Sequence, residues 1–222
     1  MSKKKGFFIT FEGIEGSGKT YQSKKLFKKI SNMGISSIYT REPGGTVGAE
    51  RIRKIILEDY FTSKGKQTFN KYTDTLLYMA ARSEHIREKL KPHINKKKVI
   101  ICDRFIDSTI AYQVYGKGVD INLVNSVHKH ILSGITPDLT FILKAKISKV
   151  LERLKKRKTK NRYDKFSRDF YVKVQKAFLK IGNRNKRKYK IIDNSIDSPE
   201  TEKLIYKEFL KLLNRWAWKT KK

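Results

Sequence analysis

Eight residues constrain this chain more than any others: Gly13-Ile14-Glu15-Gly16-Ser17-Gly18-Lys19-Thr20. They follow the apolar run Phe7-Phe8-Ile9-Thr10-Phe11 and lead into a periodic segment, Gln22 to Met33. A strand, a glycine-rich turn and a helix thus arrive in the order that a phosphate cradle needs. The spacing G-x-x-x-x-G-K-[ST] brings backbone N–H groups together at a helix N-terminus, where unpaired donors attract phosphate oxygens. Its glycines allow a close approach that a Cβ forbids. In such a P-loop the residues Gly13 to Thr20 wrap a nucleoside triphosphate. Lys19 reaches the β- and γ-phosphates, and the Thr20 hydroxyl ligates Mg²⁺. The motif specifies the ligand, not what is done with it.

At 222 residues and 38% hydrophobic, the chain has material for a proper core. Its four prolines are scattered, and no Gly/Ser-rich linker or internal repeat divides it. One domain over residues 1–222 is expected. The single cysteine, Cys102, lies in the apolar run Val99-Ile100-Ile101-Cys102 and reads as a small buried hydrophobe. No Cys/His spacing suggests zinc. The apolar run near the N-terminus is too short for a signal peptide, and no stretch reaches the length of a membrane span. A soluble, cytoplasmic protein is expected. The net charge of +31 points to anionic partners. Lysines are spread along the whole chain rather than gathered in one arm, which suits anionic small-molecule substrates and no specific nucleic acid.

Strands and helices alternate. Strands are expected at Ser36–Tyr39, Lys98–Cys102, Leu139–Leu143 and Tyr189–Ile192 after the first one. Helical spacing covers Ile52–Ile56, Phe69–Leu90, Ser108–Tyr112, Ile121–Leu132, Ser148–Lys156, Phe170–Gly182 and Pro199 to about Asn214. Residues 63–68 read as irregular. This order predicts an α/β fold, a doubly wound five-stranded parallel sheet flanked by helices. The site belongs at the strand C-termini. Asp103-Arg104 ends the third strand on the same sheet edge as the P-loop. A carboxylate there helps hold the Mg²⁺ shell, and the adjacent arginine offers a bidentate phosphate ligand.

Several blocks, read together, resemble the bacterial-type thymidylate kinases. Besides the loop with its leading Phe11-Glu12, these are Arg41-Glu42-Pro43-Gly44-Gly45-Thr46, Ala80-Ala81-Arg82-Ser83-Glu84-His85 and Thr136-Pro137-Asp138-Leu139. A further block is Asp103-Arg104-Phe105-Ile106-Asp107-Ser108, which runs on to Ala111-Tyr112-Gln113, and together with the Arg41 block it is specific. The resemblance implies a P-loop kinase fold with a lid, ATP and Mg²⁺ as cofactors, dTMP as acceptor, and a homodimer. It further implies that Arg53 and Arg104 hold the dTMP phosphate, that Glu15 accepts from the sugar 3′-OH, and that Ser108 lines the acceptor site. Tyr78 and Arg82 are four apart on a helix and share a face. An aromatic plane beside a guanidinium suits a flat base, so Tyr78 stacks and Arg82 donates to O4. Thr109 and Gln113, also four apart, offer polar groups to the N3 edge.

Phosphoryl transfer needs positive charge over the moving group. The loop has no basic residue before Lys19, so the charge must come from elsewhere. The stretch Arg153 to Arg162 has seven basic residues in ten, and a lid is placed at about 153–168. Asn161-Arg162-Tyr163-Asp164 matches the family's lid motif best. Arg162 is therefore the first choice, with Arg153 and Arg157 behind it. Lys165 and Lys144 stand where the family usually carries acids. Other nucleotide or deoxynucleoside kinases remain open as readings, as does a basic P-loop regulator that binds nucleic acid.

Overall fold

The apolar runs become strands. In chain order these are β1 (Phe8–Glu12), β2 (Ser37–Arg41), β3 (Tyr60–Thr62), β4 (Gly65–Gln67), β5 (Val99–Asp103), β6 (Leu139–Lys144) and β7 (Tyr189–Asp193). The computed structural model describes residues 6–58, 60–62, 65–158, 161–196 and 198–220; for 60–62, 65–67 and 216–220 it describes the backbone alone. Five strands form one parallel sheet in the order β2-β5-β1-β6-β7. The expected doubly wound α/β sheet is the observed one. The stretch 63–68, read as irregular, instead contains β4, which pairs antiparallel with β3; Ser63 and Lys64 lie outside the described residues.

The helices are α1 (Lys19–Asn32), α2 (Val47–Leu57), α3 (Lys71–His85), α4 (Lys91–Asn95), α5 (Ile106–Thr109), α6 (Ile121–Ile131), α7 (Ile147–Lys155), α8 (Arg168–Asn183) and α9 (Pro199–Thr220). A π-helical turn, Ile86–Leu90, joins α3 to α4. The helical path read as ending at Leu90 therefore reaches Asn95, because Pro92 falls in the first turn of α4, where its missing N–H costs little. A second π-helical stretch, Ile110–Gly116, follows α5 where one short α-helix was expected. Hydrophobic spacing cannot separate these forms, and π turns concentrate at functional sites.

Period-two alternation divides the central strands between two helical layers. Ile9 and Phe11 of β1, Ile101 of β5 and Phe141 of β6 pack with Leu26 and Ile30 of α1 and Phe209 of α9. On the other face, Phe8, Ile100 and Cys102 meet Leu90 and Ile94, while Ile142 meets Val174, Phe178 and Ile181 of α8. Burial on both faces is why β1 and β5 read as continuous apolar runs. Thr10 of β1 and Thr140 of the neighbouring β6 are polar interruptions that satisfy each other across 2.8 Å.

The connections position the site. From β1 the chain turns toward the β2 edge, and from β6 it turns toward the opposite β7 edge. Beyond the C-termini of these neighbouring strands a crevice opens, and Gly13 to Thr20 occupy it.

Candidate active site

The loop is held open by backbone geometry. Gly13, Gly16 and Gly18 have φ of 139°, 71° and 91°. A Cβ on Gly18 would lie 2.2 Å from the Asn194 side-chain nitrogen. Gly18 also stands where a capping side chain would precede α1, and it supplies none, so the first N–H groups of that helix face the crevice. Lys19 is nearly covered and donates to the Ile14 carbonyl at 2.8 Å. Burial and the nearby Arg104 pull its pKa down to about 8, against the partial support of Asp103 and Glu15.

At the end of β5 the Thr20 hydroxyl donates to Asp103 Oδ2. Asp103 Oδ1 is buried without a hydrogen-bond partner. An unpartnered carboxylate oxygen beside a hydroxyl fits Mg²⁺, a hard ion that takes few protein ligands and fills its shell with water and phosphate oxygens. Among the described residues no group of three or more His, Cys, Asp or Glu side chains could hold a metal ion. Next to Asp103, Arg104 adopts φ of 74°, a region that non-glycine residues rarely occupy. This backbone turns its guanidinium back across the loop. It donates to Gly13 O at 2.9 Å, Ser108 Oγ at 2.9 Å and Glu15 Oε1 at 2.6 Å. Burial works against its charge, but Glu15, Tyr112 and Asp103 outweigh that and push its pKa above the ordinary value. Tyr112 donates to the other Glu15 oxygen.

One cavity of about 620 Å³ joins these parts to a second wall built by α2, α3 and the 110–116 π-helix. Glu15, Gly16, Gly18, Lys19, Thr20, Asp103 and Arg104 line one end; Arg53, Tyr78, Arg82, Ser108, Thr109 and Gln113 line the other. Gly13, Ile14 and Ser17 stand behind the loop: Gly13 as an acceptor, Ile14 in the core, Ser17 with a buried, unpartnered hydroxyl. Arg53 donates to Pro43 O at 2.6 Å. Burial raises the Tyr78 pKa, and its ring meets that of Tyr163 edge-on.

Arg82 is more committed than its spacing suggests. It is 2% exposed, with Nε on Glu42 at 2.7 Å, Nη1 on Thr109 Oγ1 and His128 Nε2, and Nη2 on the Phe105 carbonyl. Four of its five N–H groups are thus occupied by protein. His128 accepts here as a neutral ring: burial and Arg82 lower its pKa to about 3. Thr109, expected to face a base, has its oxygen turned to Arg82 instead.

The lid reading needs correction. Arg162 lies in a 3₁₀ turn, Arg162–Lys165, and does not line the cavity. It donates to Asp74 of α3 and its side chain is 8% exposed, because a fully buried carboxylate there demands a cation. Of the three lid candidates, Arg153 is the one with a hydrogen bond to the P-loop. It donates to Gly16 O and to Asn194 O, both at 3.0 Å, and it lines the cavity with Arg157. Within the lid placed at 153–168, Thr159 and Lys160 lie outside the described residues.

Some residues at this site were given no role of their own by the sequence argument. Asn194, just past β7, donates to Ser17 O at 2.8 Å and keeps a buried, unpartnered Oδ1. Its place after a strand on the loop's edge was the available signal. Glu12 accepts from Phe105 N at 2.7 Å and Ser108 Oγ at 2.6 Å, so it fixes the turn that carries Arg104. Burial and Asp107 raise its pKa. Glu42 joins Arg82 to His85, whose other ring nitrogen meets Thr40 Oγ1 at 2.7 Å. No spacing in the sequence links these.

Residues 11–205 match the family model described as thymidylate kinase. The chain belongs to the thymidylate kinase family. It is 39% identical over 208 residues to a thymidylate kinase of Pelotomaculum thermopropionicum, covering 93% of this chain and 92% of that protein. A thymidylate kinase of Wolbachia pipientis is 40% identical over 211 residues, covering 94% and 96%. The fold agrees as well: the crystal structure of thymidylate kinase from Ehrlichia chaffeensis superimposes with a TM-score of 0.73 at 33% identity, over 92% of this chain and 98% of that one. The family match leaves residues 206–222 outside it, among them the last part of α9, residues 206–220.

Proposed function

We propose that the chain, acting as a single domain over residues 1–222, transfers the γ-phosphoryl group of ATP to the phosphate of dTMP and makes dTDP. The observation that carries this is one cavity with two differently built ends. A phosphate loop lies at one, and an aromatic ring with the buried Arg82 and the half-buried Arg53 at the other.

ATP lies with its phosphates on the backbone N–H groups of Gly16 to Thr20, and Lys19 follows the charge on the β- and γ-phosphates. Thr20 and Asp103 hold Mg²⁺, which when bound neutralises charge on the β- and γ-phosphate oxygens. Arg153, with Arg157 beside it, supplies the positive charge that the loop lacks. Arg104 and Arg53 fix the acceptor phosphate in line, and Glu15 accepts from the sugar 3′-OH. Tyr78 stacks on thymine. The fifth N–H of Arg82 donates to O4, with Gln113, Thr109 and Ser108 shaping the polar side. No covalent intermediate is needed, because positioning and electrostatics carry the rate.

The enzyme works as a homodimer in the cytoplasm. Exposed Ile55, Tyr72 and Leu76 on α2 and α3 support a second copy. Among the described residues no helix is long and apolar enough to cross a membrane. The test is ADP release measured over a panel of nucleoside monophosphates and the corresponding nucleosides. Fastest turnover with dTMP is expected. No turnover with dTMP, or equal turnover with thymidine, which Arg53 and Arg104 could not grip, overturns the reading.

A further inference from the structure

Asp74 lies on α3 one turn before Tyr78 and is fully buried. It gathers side chains from two distant stretches of chain, Gln113–Lys117 and Arg162–Tyr163. Lys117 Nζ donates to Oδ2 at 2.6 Å, Tyr163 OH at 3.0 Å and Gln113 Nε2 at 3.4 Å. Arg162 Nη2 donates to Oδ1. A buried carboxylate with two cations is rarely a net source of stability, but it fixes geometry, since either partner left alone is costly.

What this cluster fixes is Tyr163. The ring is 4% exposed and lines the cavity. It meets Tyr78 edge-on, with centroids 6.0 Å apart at 83°, and Tyr112 in the same manner at 6.0 Å and 78°. Its backbone is set independently: Asn161 caps the turn by accepting from Tyr163 N at 2.8 Å, and Tyr171 OH donates to Tyr163 O at 2.6 Å. The Arg162 guanidinium lies over the Tyr163 ring at 5.0 Å. Tyr163 thus touches both the Tyr78 ring and the tyrosine that holds Glu15.

We propose that Asp74 and Arg162 are positioning residues that fasten Tyr163 into the wall of the acceptor pocket, where Tyr163 contacts the acceptor nucleoside. The inference rests on the reading that the Tyr78 end of the cavity takes dTMP. It gives the segment after the basic run a role on the acceptor, while Arg153 serves the phosphates. Pyrimidine edges meet aromatic faces and edges favourably at such separations, so the pocket takes a flat six-membered base.

The experiment is steady-state kinetics on the full chain for wild type, Arg162→Gln, Arg162→Lys and Tyr163→Leu, with dTMP and ATP varied separately. Asp74→Asn is not relied on, since it strands two cations and risks unfolding. Arg162→Gln and Tyr163→Leu are expected to raise the dTMP KM about tenfold or more, as loss of a charged hydrogen bond or a packed ring would, with kcat and the ATP KM changed by less than about threefold. Arg162→Lys, which keeps the charge, recovers most of the loss. A fall in kcat of about a hundredfold at constant dTMP KM returns Arg162 to the phosphoryl group and overturns the proposal. Equal rises in both KM values, or no change in either, overturn it too. If the wild type prefers another nucleoside monophosphate, the functional reading falls separately, and the same comparison with that acceptor decides the role of Tyr163.

Discussion

Replacing Lys19 with methionine should make the ATP-free protein more stable while removing its activity. Lys19 is 5% exposed, and its pKa falls from 10.5 to about 8 through burial and the Arg104 charge. At about 1.4 kcal/mol per pH unit, that depression means the folded state disfavours the charged lysine by about 3 kcal/mol. Methionine fills similar space without charge but forfeits the hydrogen bond to Ile14 O, worth about 1 kcal/mol. A net gain of about 2 kcal/mol follows, or about 4–8 °C in Tm for a chain of this size. The sign of the pH dependence is fixed. Between about 8 and 10.5 the unfolded chain keeps a proton that the folded chain has lost, so this lysine's penalty applies in full below 8 and fades as pH rises toward 10.5. Urea unfolding of both proteins without nucleotide, at pH 7 and pH 10, isolates the effect, because other titrating groups cancel in the difference. The variant should lead at pH 7, and the gap should close by pH 10. A variant no more stable than wild type at pH 7, or a gap that ignores pH, would refute the reasoning.

Arg153→Ala should lower kcat by about a hundredfold or more with little change in dTMP KM, because it removes charge used chiefly in the transition state. Retained kcat in a stopped-time assay would remove Arg153 from the phosphoryl site. For the base, dTMP should exceed dCMP in kcat/KM by roughly 10⁴, because the cytosine amino group meets a donor. Arg82→Met should collapse that ratio and also cost about 3–5 kcal/mol of stability, since Glu42 loses its partner in the core. An unchanged ratio in a folded variant would mean that Arg82 does not read the base.

The correction at Arg162 marks where reading the sequence stops. A run of seven basic residues in ten says that cations are plentiful, and a motif match selected Arg162 among them. Which cation meets phosphate depends on which carboxylates stand nearby, and Asp74 is 88 positions away along the chain. Arg82 carries the same lesson in milder form. Helical spacing put it on one face with Tyr78, and both do line the cavity. Spacing could not foresee Glu42, Thr109 and His128, which arrive from three other elements and take most of its donors.

By itself the sequence determined the sheet, its winding and the phosphate loop. Those rest on local signals: apolar runs bounded by turns, and glycines whose conformations no other residue adopts cheaply. The tertiary structure alone decided the pairing of buried charges, the left-handed turn at Arg104, the π-helical backbone of 110–116 and the place of Asn194 behind Ser17. The physical reason is range. Hydrophobic periodicity is written within a dozen residues, whereas a buried ion is satisfied by whatever the fold brings within about 3 Å, from any distance along the chain.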